Sequence, residues 1–150
     1  MSAATVPWII LFAPLVAAAL ILFFGKYSRQ LSAGLAIGAA LLSSALSWWL
    51  FFQPGDVTPY QVSWINIRDV FTVPIGMIVD PLSRTMLVVV NTIAPLVFIY
   101  SLGYMAHEEG YWRYFAGLAL FLFSMLGIVL ANNFVMMFIF WELVGVSSYI

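Results

Sequence analysis

Apolar residues in this chain come in long unbroken runs rather than in alternation. Val6 to Phe24, Leu31 to Phe52, Pro81 to about Tyr104, Tyr114 to Leu130, and Phe134 onward are each almost free of charge. About 20 predominantly apolar residues suffice for an α-helix to cross the hydrocarbon layer. The pattern therefore predicts an all-α membrane protein, a polytopic bundle with spans over about 6–24, 31–52, 81–104, 114–130 and 134–150, the sequence stopping inside the fifth.

The breaks between the runs carry their own signals. Pro14 removes one backbone hydrogen bond inside the first span, which predicts a kink because lipid offers no substitute donor. GKYSRQ ends that span. The second contains Gly34-Leu-Ala-Ile-Gly38, a small-xxx-small face on which another backbone can lie closely. After it, a Pro54-Gly55 turn signal precedes two stretches of alternating pattern. Val62 and Trp64 share one phase, Ile65 and Ile67 slip to the other, and Phe71, Val73, Ile75 and Met77 alternate cleanly. A short hairpin-like cap outside the membrane is expected there. Asp80-Pro81 opens the third span as an N-cap followed by proline at the first helical position. AHEEGYWR connects spans three and four, and Asn132-Asn133 interrupts the last run because asparagine offers the backbone competing local bonds.

Composition narrows the function classes. Five Lys plus Arg against six Asp plus Glu leave no basic surface for nucleic acid. There is no cysteine and only one histidine, His107, so iron–sulfur ligation, thiolate zinc and haem attachment have no ligand set. Redox cofactors are expected on partners rather than here. The first apolar run lacks the basic n-region of a cleaved signal peptide and is expected to remain as the first membrane helix. Lys26 and Arg29 lie between spans one and two, and the preceding tail carries no cation, so the positive-inside rule predicts the N-terminus outside. The hairpin and the asparagine pair then fall outside, and HEEGYWR inside.

One charge lies within the fifth run. Glu142 is nine residues past Asn133, roughly 13 Å along a helix and near the middle of a layer roughly 30 Å thick. A charged side chain at that depth costs roughly 2.5 to 3.5 kcal/mol on insertion scales, so intramembrane carboxyls face a bundle interior or a cavity. The plainer reading is a neutral glutamate hydrogen-bonded within the bundle. The functional one is a proton-binding site, because desolvation favours the protonated carboxyl and a nearby cation favours the ionised one. Helical spacing puts Val135, Phe138, Gly145 and Tyr149 on the Glu142 face, with Gly145 leaving a gap beside the carboxyl. Ser147 and Ser148 are expected to bond their own backbone.

Asp80 is chiefly a cap; its functional alternative is a place at the outer mouth of a polar path, paired with Arg84 four residues on. His107, Glu108 and Glu109 read as a solvated connection, and HEEG is not the HExxH zinc pattern. Neither glycine-rich nucleotide motif occurs.

IVDPLS, YSLGYMAHEEGYWRYFAGLALFLFSML and FWELVGVSSYI together resemble the antiporter-like subunit L, or chain 5, of proton-pumping NADH:quinone oxidoreductase, respiratory complex I. The likeness is specific from Asp80 onward and looks like the N-terminal quarter of that family. It implies a subunit of the membrane arm built on two inverted five-helix repeats, of which spans four and five would be the first two helices. It also implies that Glu142, in WELVGVSSY, pairs with a buried lysine two helices further on and takes part in proton translocation driven by quinone reduction elsewhere. NADH, FMN, iron–sulfur clusters and quinone would then sit on partner subunits. The expected partners are other membrane subunits, the lipid bilayer and protons; the expected location is a bacterial inner membrane. The large subunit of a multisubunit Na+/H+ antiporter is the nearest alternative, and a structural membrane subunit that moves no ions is the alternative of another class.

Overall fold

The computed structural model describes residues 4–55, 57, 59, 61–67 and 71–149, with the side chains of 65–67 and 71–73 excepted. Among these residues five helices and one hairpin follow in order: α1 (Val6–Phe24), α2 (Arg29–Phe51), β1 (Val62–Ile67), β2 (Phe71–Ile75), α3 (Pro81–Tyr104), α4 (Tyr111–Leu130) and α5 (Phe134–Tyr149), with a 3-10 turn over Gly25–Tyr27. The first four helices are long and apolar enough to cross a membrane, and α5 is a shorter apolar helix of 16 residues. This is a polytopic, all-α membrane protein. Two helices begin earlier than their apolar runs. Ser28 caps α2, its hydroxyl accepting from the Leu31 N–H at 3.4 Å, so Arg29 and Gln30 join the first turn. The carbonyl of Gly110 accepts from the Tyr114 N–H at 3.0 Å and starts α4 at Tyr111.

Helix α4 is the hub, packing against α1, α2, α3 and α5. Phe115, Ala119, Leu122, Leu126 and Leu130 are buried along it, a stripe at helical spacing. Around that hub the proline break in α1 is handled by a side chain from a neighbouring helix. Pro14 cannot donate to the carbonyl of Ile10, one turn back, and the buried hydroxyl of Ser43 donates to that carbonyl instead at 3.1 Å. The Ser47 hydroxyl donates to the Ser43 carbonyl at 2.8 Å, and the Asn91 amide donates to the Ser47 hydroxyl at 2.8 Å. These bonds tie α1, α2 and α3 together in the dry interior, where an unpaired carbonyl costs about 1–3 kcal/mol. Asn91 is itself one turn before Pro95, the proline inside α3.

The close-packed face of α2 is Ala33, Ala36, Ala40, Ser43 and Ser47. Gly34 and Gly38 point outward instead, with open space where a side chain would stand. Among the described residues no backbone lies on the Gly34–Gly38 face, and the close packing of α2 falls on its alanines and serines. Alanine and serine are small enough for the approach, and the serines add hydrogen bonds that glycine lacks.

The connections segregate to two ends. At one, the Arg29 guanidinium donates to the carbonyls of Ala106 and Glu108, so the α1–α2 turn meets the α3–α4 turn. At the other, the hairpin lies on the α4–α5 turn. The Ile78 N–H donates to the Leu130 carbonyl at 2.9 Å, the Asn133 amide donates to the Pro74 carbonyl at 2.7 Å, and Met77 bridges to Ala131. The strands are antiparallel, with a register shift between Ser63 and Ile65 that leaves Trp64 as the extra residue. That shift falls where the alternation changes phase in the sequence. The turn residues 68–70 of the expected hairpin lie outside the described residues.

Candidate functional site

The site is built on α5. Asn133 starts this helix, its side-chain oxygen accepting from the Met136 N–H at 2.9 Å while its amide holds Pro74. The rotation of α5 about its own axis is then set by α4. Phe140 lies directly over Gly127, where any side chain would collide with its ring, and its ring meets Phe123 edge-on at 5.4 Å. Met136 and Ser147 are buried on this side of α5, with Phe140 and Leu143 half-buried. An α5 that is apolar nearly all round gives little rotational preference of its own, so its contacts with α4, Phe140 on Gly127 foremost, decide which way the helix turns.

The consequence for Glu142 is direct. It is exposed, on the opposite side of α5 from Phe140, together with Phe138, Gly145 and Tyr149, the last of these 93% exposed. Beside Gly145 there is open space. Helix α4 is the neighbour along which α5 packs, and no described element covers the Glu142 face. The carboxyl is therefore presented outward, midway along an apolar helix. The enclosed interior expected from the sequence is not formed by the described residues. Ser147 and Ser148 donate to the carbonyls of Val144 and Gly145, bonding their own helix.

Asp80 and Arg84 stand at the hairpin end of α3. Asp80 caps the helix, its carboxylate accepting from the Ser83 N–H at 2.6 Å, and this bond holds its pKa below the usual carboxylate range. The expected Asp80–Arg84 pairing is not formed among the described residues. The Arg84 guanidinium donates instead to the carbonyls of Gln53, at 2.9 Å, and Gly55. Those carbonyls follow the C-terminal end of α2, where the helix dipole favours a cation. The structure does not bring this pair to Glu142; they serve α3 and α2, and Glu142 lies on α5. Among the described residues no group of three His, Cys, Asp or Glu could hold a metal.

Two polar features went unread in the sequence. Asn91, fully buried, carries a side-chain oxygen without a partner among the described residues. Its signal was available: an asparagine inside an apolar run, four residues before a proline. Ser101 and the Tyr114 hydroxyl form a 3.0 Å bond between α3 and α4, which no spacing within either helix announces.

A family model described as the N-terminus of NADH-ubiquinone oxidoreductase (complex I) chain 5 matches residues 64–115. The chloroplastic NAD(P)H-quinone oxidoreductase subunit 5 of Zygnema circumcarinatum is 48% identical over 128 residues, covering 83% of this chain and 18% of the relative. That of Anthoceros angustus is 39% identical over 153 residues, covering 95% of this chain and 21% of the relative. NAD(P)H-quinone oxidoreductase chain 5 of Synechocystis sp. is 44% identical over 114 residues, covering 76% and 17%. The chain spans about a fifth of the length of these curated relatives. On these matches the chain belongs to the family of complex I chain 5, and it carries the part that the family model describes as the N-terminus.

Proposed function

We propose that this chain forms part of a proton-translocating membrane subunit of an NAD(P)H:quinone oxidoreductase, with Glu142 as its proton-binding group. One observation carries the reading. The single acidic residue within the apolar helices is held midway along α5, facing away from α4 and beside the open space at Gly145. A carboxyl so placed in a bilayer is too costly to leave against lipid, and helices from the rest of the subunit would enclose it. A buried cation approaching Glu142 would stabilise the carboxylate, and its withdrawal would favour proton uptake. A shift of one pKa unit corresponds to about 1.4 kcal/mol, so a modest movement of such a cation loads or releases a proton. Gly145 and Tyr149 line the same face; Gly145 leaves room for the cation or for water.

Quinone reduction would occur on partner subunits that hold the redox cofactors, and this chain would couple to it through other membrane subunits. The matched family and relatives bear oxidoreductase names, which favours this reading over the Na+/H+ antiporter. We place the chain in a bacterial inner membrane with its N-terminus outside. The cations Lys26 and Arg29 in the α1–α2 turn support that orientation. Infrared difference spectra of the assembled complex under turnover test the role of Glu142. A carboxyl band that changes with turnover, and vanishes in Glu142→Gln, is expected. Spectra without such a change would favour a scaffold that moves no protons.

A further inference from the structure

Between α1 and α4, at the end that carries Lys26 and Arg29, runs an almost wholly apolar groove of about 310 Å³. Leu15, Leu22 and Leu120 wall it, Ala116 lies along its floor, and Trp112 and Arg113 stand where it opens toward the α1–α2 turn. Gly117 lines it as well, with open space beside it. The Arg113 guanidinium lies over the Trp112 ring, 5.2 Å from its centre. Among the described residues nothing accepts a hydrogen bond from it, whereas Arg29 is committed to the carbonyls of Ala106 and Glu108.

We propose that this groove is a site for one anionic phospholipid, an acyl chain lying between α1 and α4 and the phosphate held by Arg113. A guanidinium offers five N–H donors in a planar fork that matches a phosphate, and here the fork is unoccupied at the end of an apolar slot. Tryptophan beside it suits the level of the headgroups. An acyl chain, one methylene wide, fits within a slot of this volume between two helices already in contact, whereas a transmembrane helix, about 10–12 Å across, can only lie over it. Glu108 and Glu109 lie on the connection leading into α4 and oppose any diffuse attraction of anions. They offset Lys26 and Arg29 at the same end, and Arg113 is the cation that lines the slot, so the headgroup preference is assigned to Arg113.

The test uses the assembled complex in nanodiscs made with phosphatidylglycerol or with phosphatidylcholine, each bearing a diazirine on one acyl chain. Crosslinked peptides are then mapped by mass spectrometry. Labelling of the α1 and α4 peptides around Leu22 and Leu120 should be severalfold higher with phosphatidylglycerol. Arg113→Gln should erase that difference while labelling persists, and Gly117→Leu, which fills the slot, should remove labelling by either lipid. Equal labelling of the unaltered complex by both lipids would overturn the proposal, as would absence of label from the slot, which would mean another helix covers it. Because the readout is labelling alone, its outcome is independent of whether Glu142 carries protons.

Discussion

The hydroxyl of Ser43 donates to the carbonyl of Ile10 at 3.1 Å, the carbonyl that Pro14 leaves without its helical partner. A defect written into α1 is thus repaired from α2, and the repair doubles as a contact between the two helices. Helix-breaking residues persist in membrane spans where a neighbouring side chain satisfies the freed backbone group.

Ser43→Ala removes that donor and leaves the carbonyl unpaired in a dry interior. It should lower the stability of the subunit by about 1–3 kcal/mol. Pro14→Ala on the same background should recover most of the loss, because the restored N–H reforms the bond within α1. Denaturation midpoints of the four variants in detergent give the coupling; additive effects would show that the two residues act separately.

Gly127→Ala places a methyl group in the ring of Phe140. Overpacking of this kind costs about 1–3 kcal/mol, and here it should also turn or displace α5. Phe140→Leu should relieve it. Thermal unfolding measures the cost, and a spin-label distance between α4 and α5 reads the displacement.

Asp80 contributes its cap as a carboxylate. The Ser83 N–H depresses its folded-state pKa, so the stabilisation is fully present above the unfolded value and is lost as pH falls through the lower, folded one. Hydrogen exchange at the Ser83 amide, followed as pH is lowered through the acid range, should show the first turn of α3 opening. Asp80→Asn, which caps without ionising, should flatten that dependence; an unchanged profile in Asp80→Asn would assign the opening to another group.

How much of this was legible beforehand depended on where the determining contact lies. The helices were readable because an apolar run of sufficient length is a local property. The start of α3 was equally plain, since Asp80 and Pro81 specify it side by side. Even the bulge at Trp64 left a trace, a change of phase within β1. The backbone break at Pro14 was readable but its remedy was not, because Ser43 lies 33 residues away and nothing in periodicity joins them. Asn91 carries a local mark, its place four residues before Pro95, but its bond to Ser47 joins positions 44 residues apart. The hardest case was the site itself. A helical wheel groups Phe138, Glu142, Gly145 and Tyr149, but the direction that face takes is set by Phe140 lying on Gly127. That contact between two helices turns Glu142 away from the other described helices.

The most direct measurement is the proton yield per electron of the assembled complex carrying Glu142→Gln, reconstituted in sealed vesicles, with subunit content checked in parallel. A fully assembled complex that still reduces quinone but moves markedly fewer protons per electron is expected. An unaltered proton yield from that variant would contradict it.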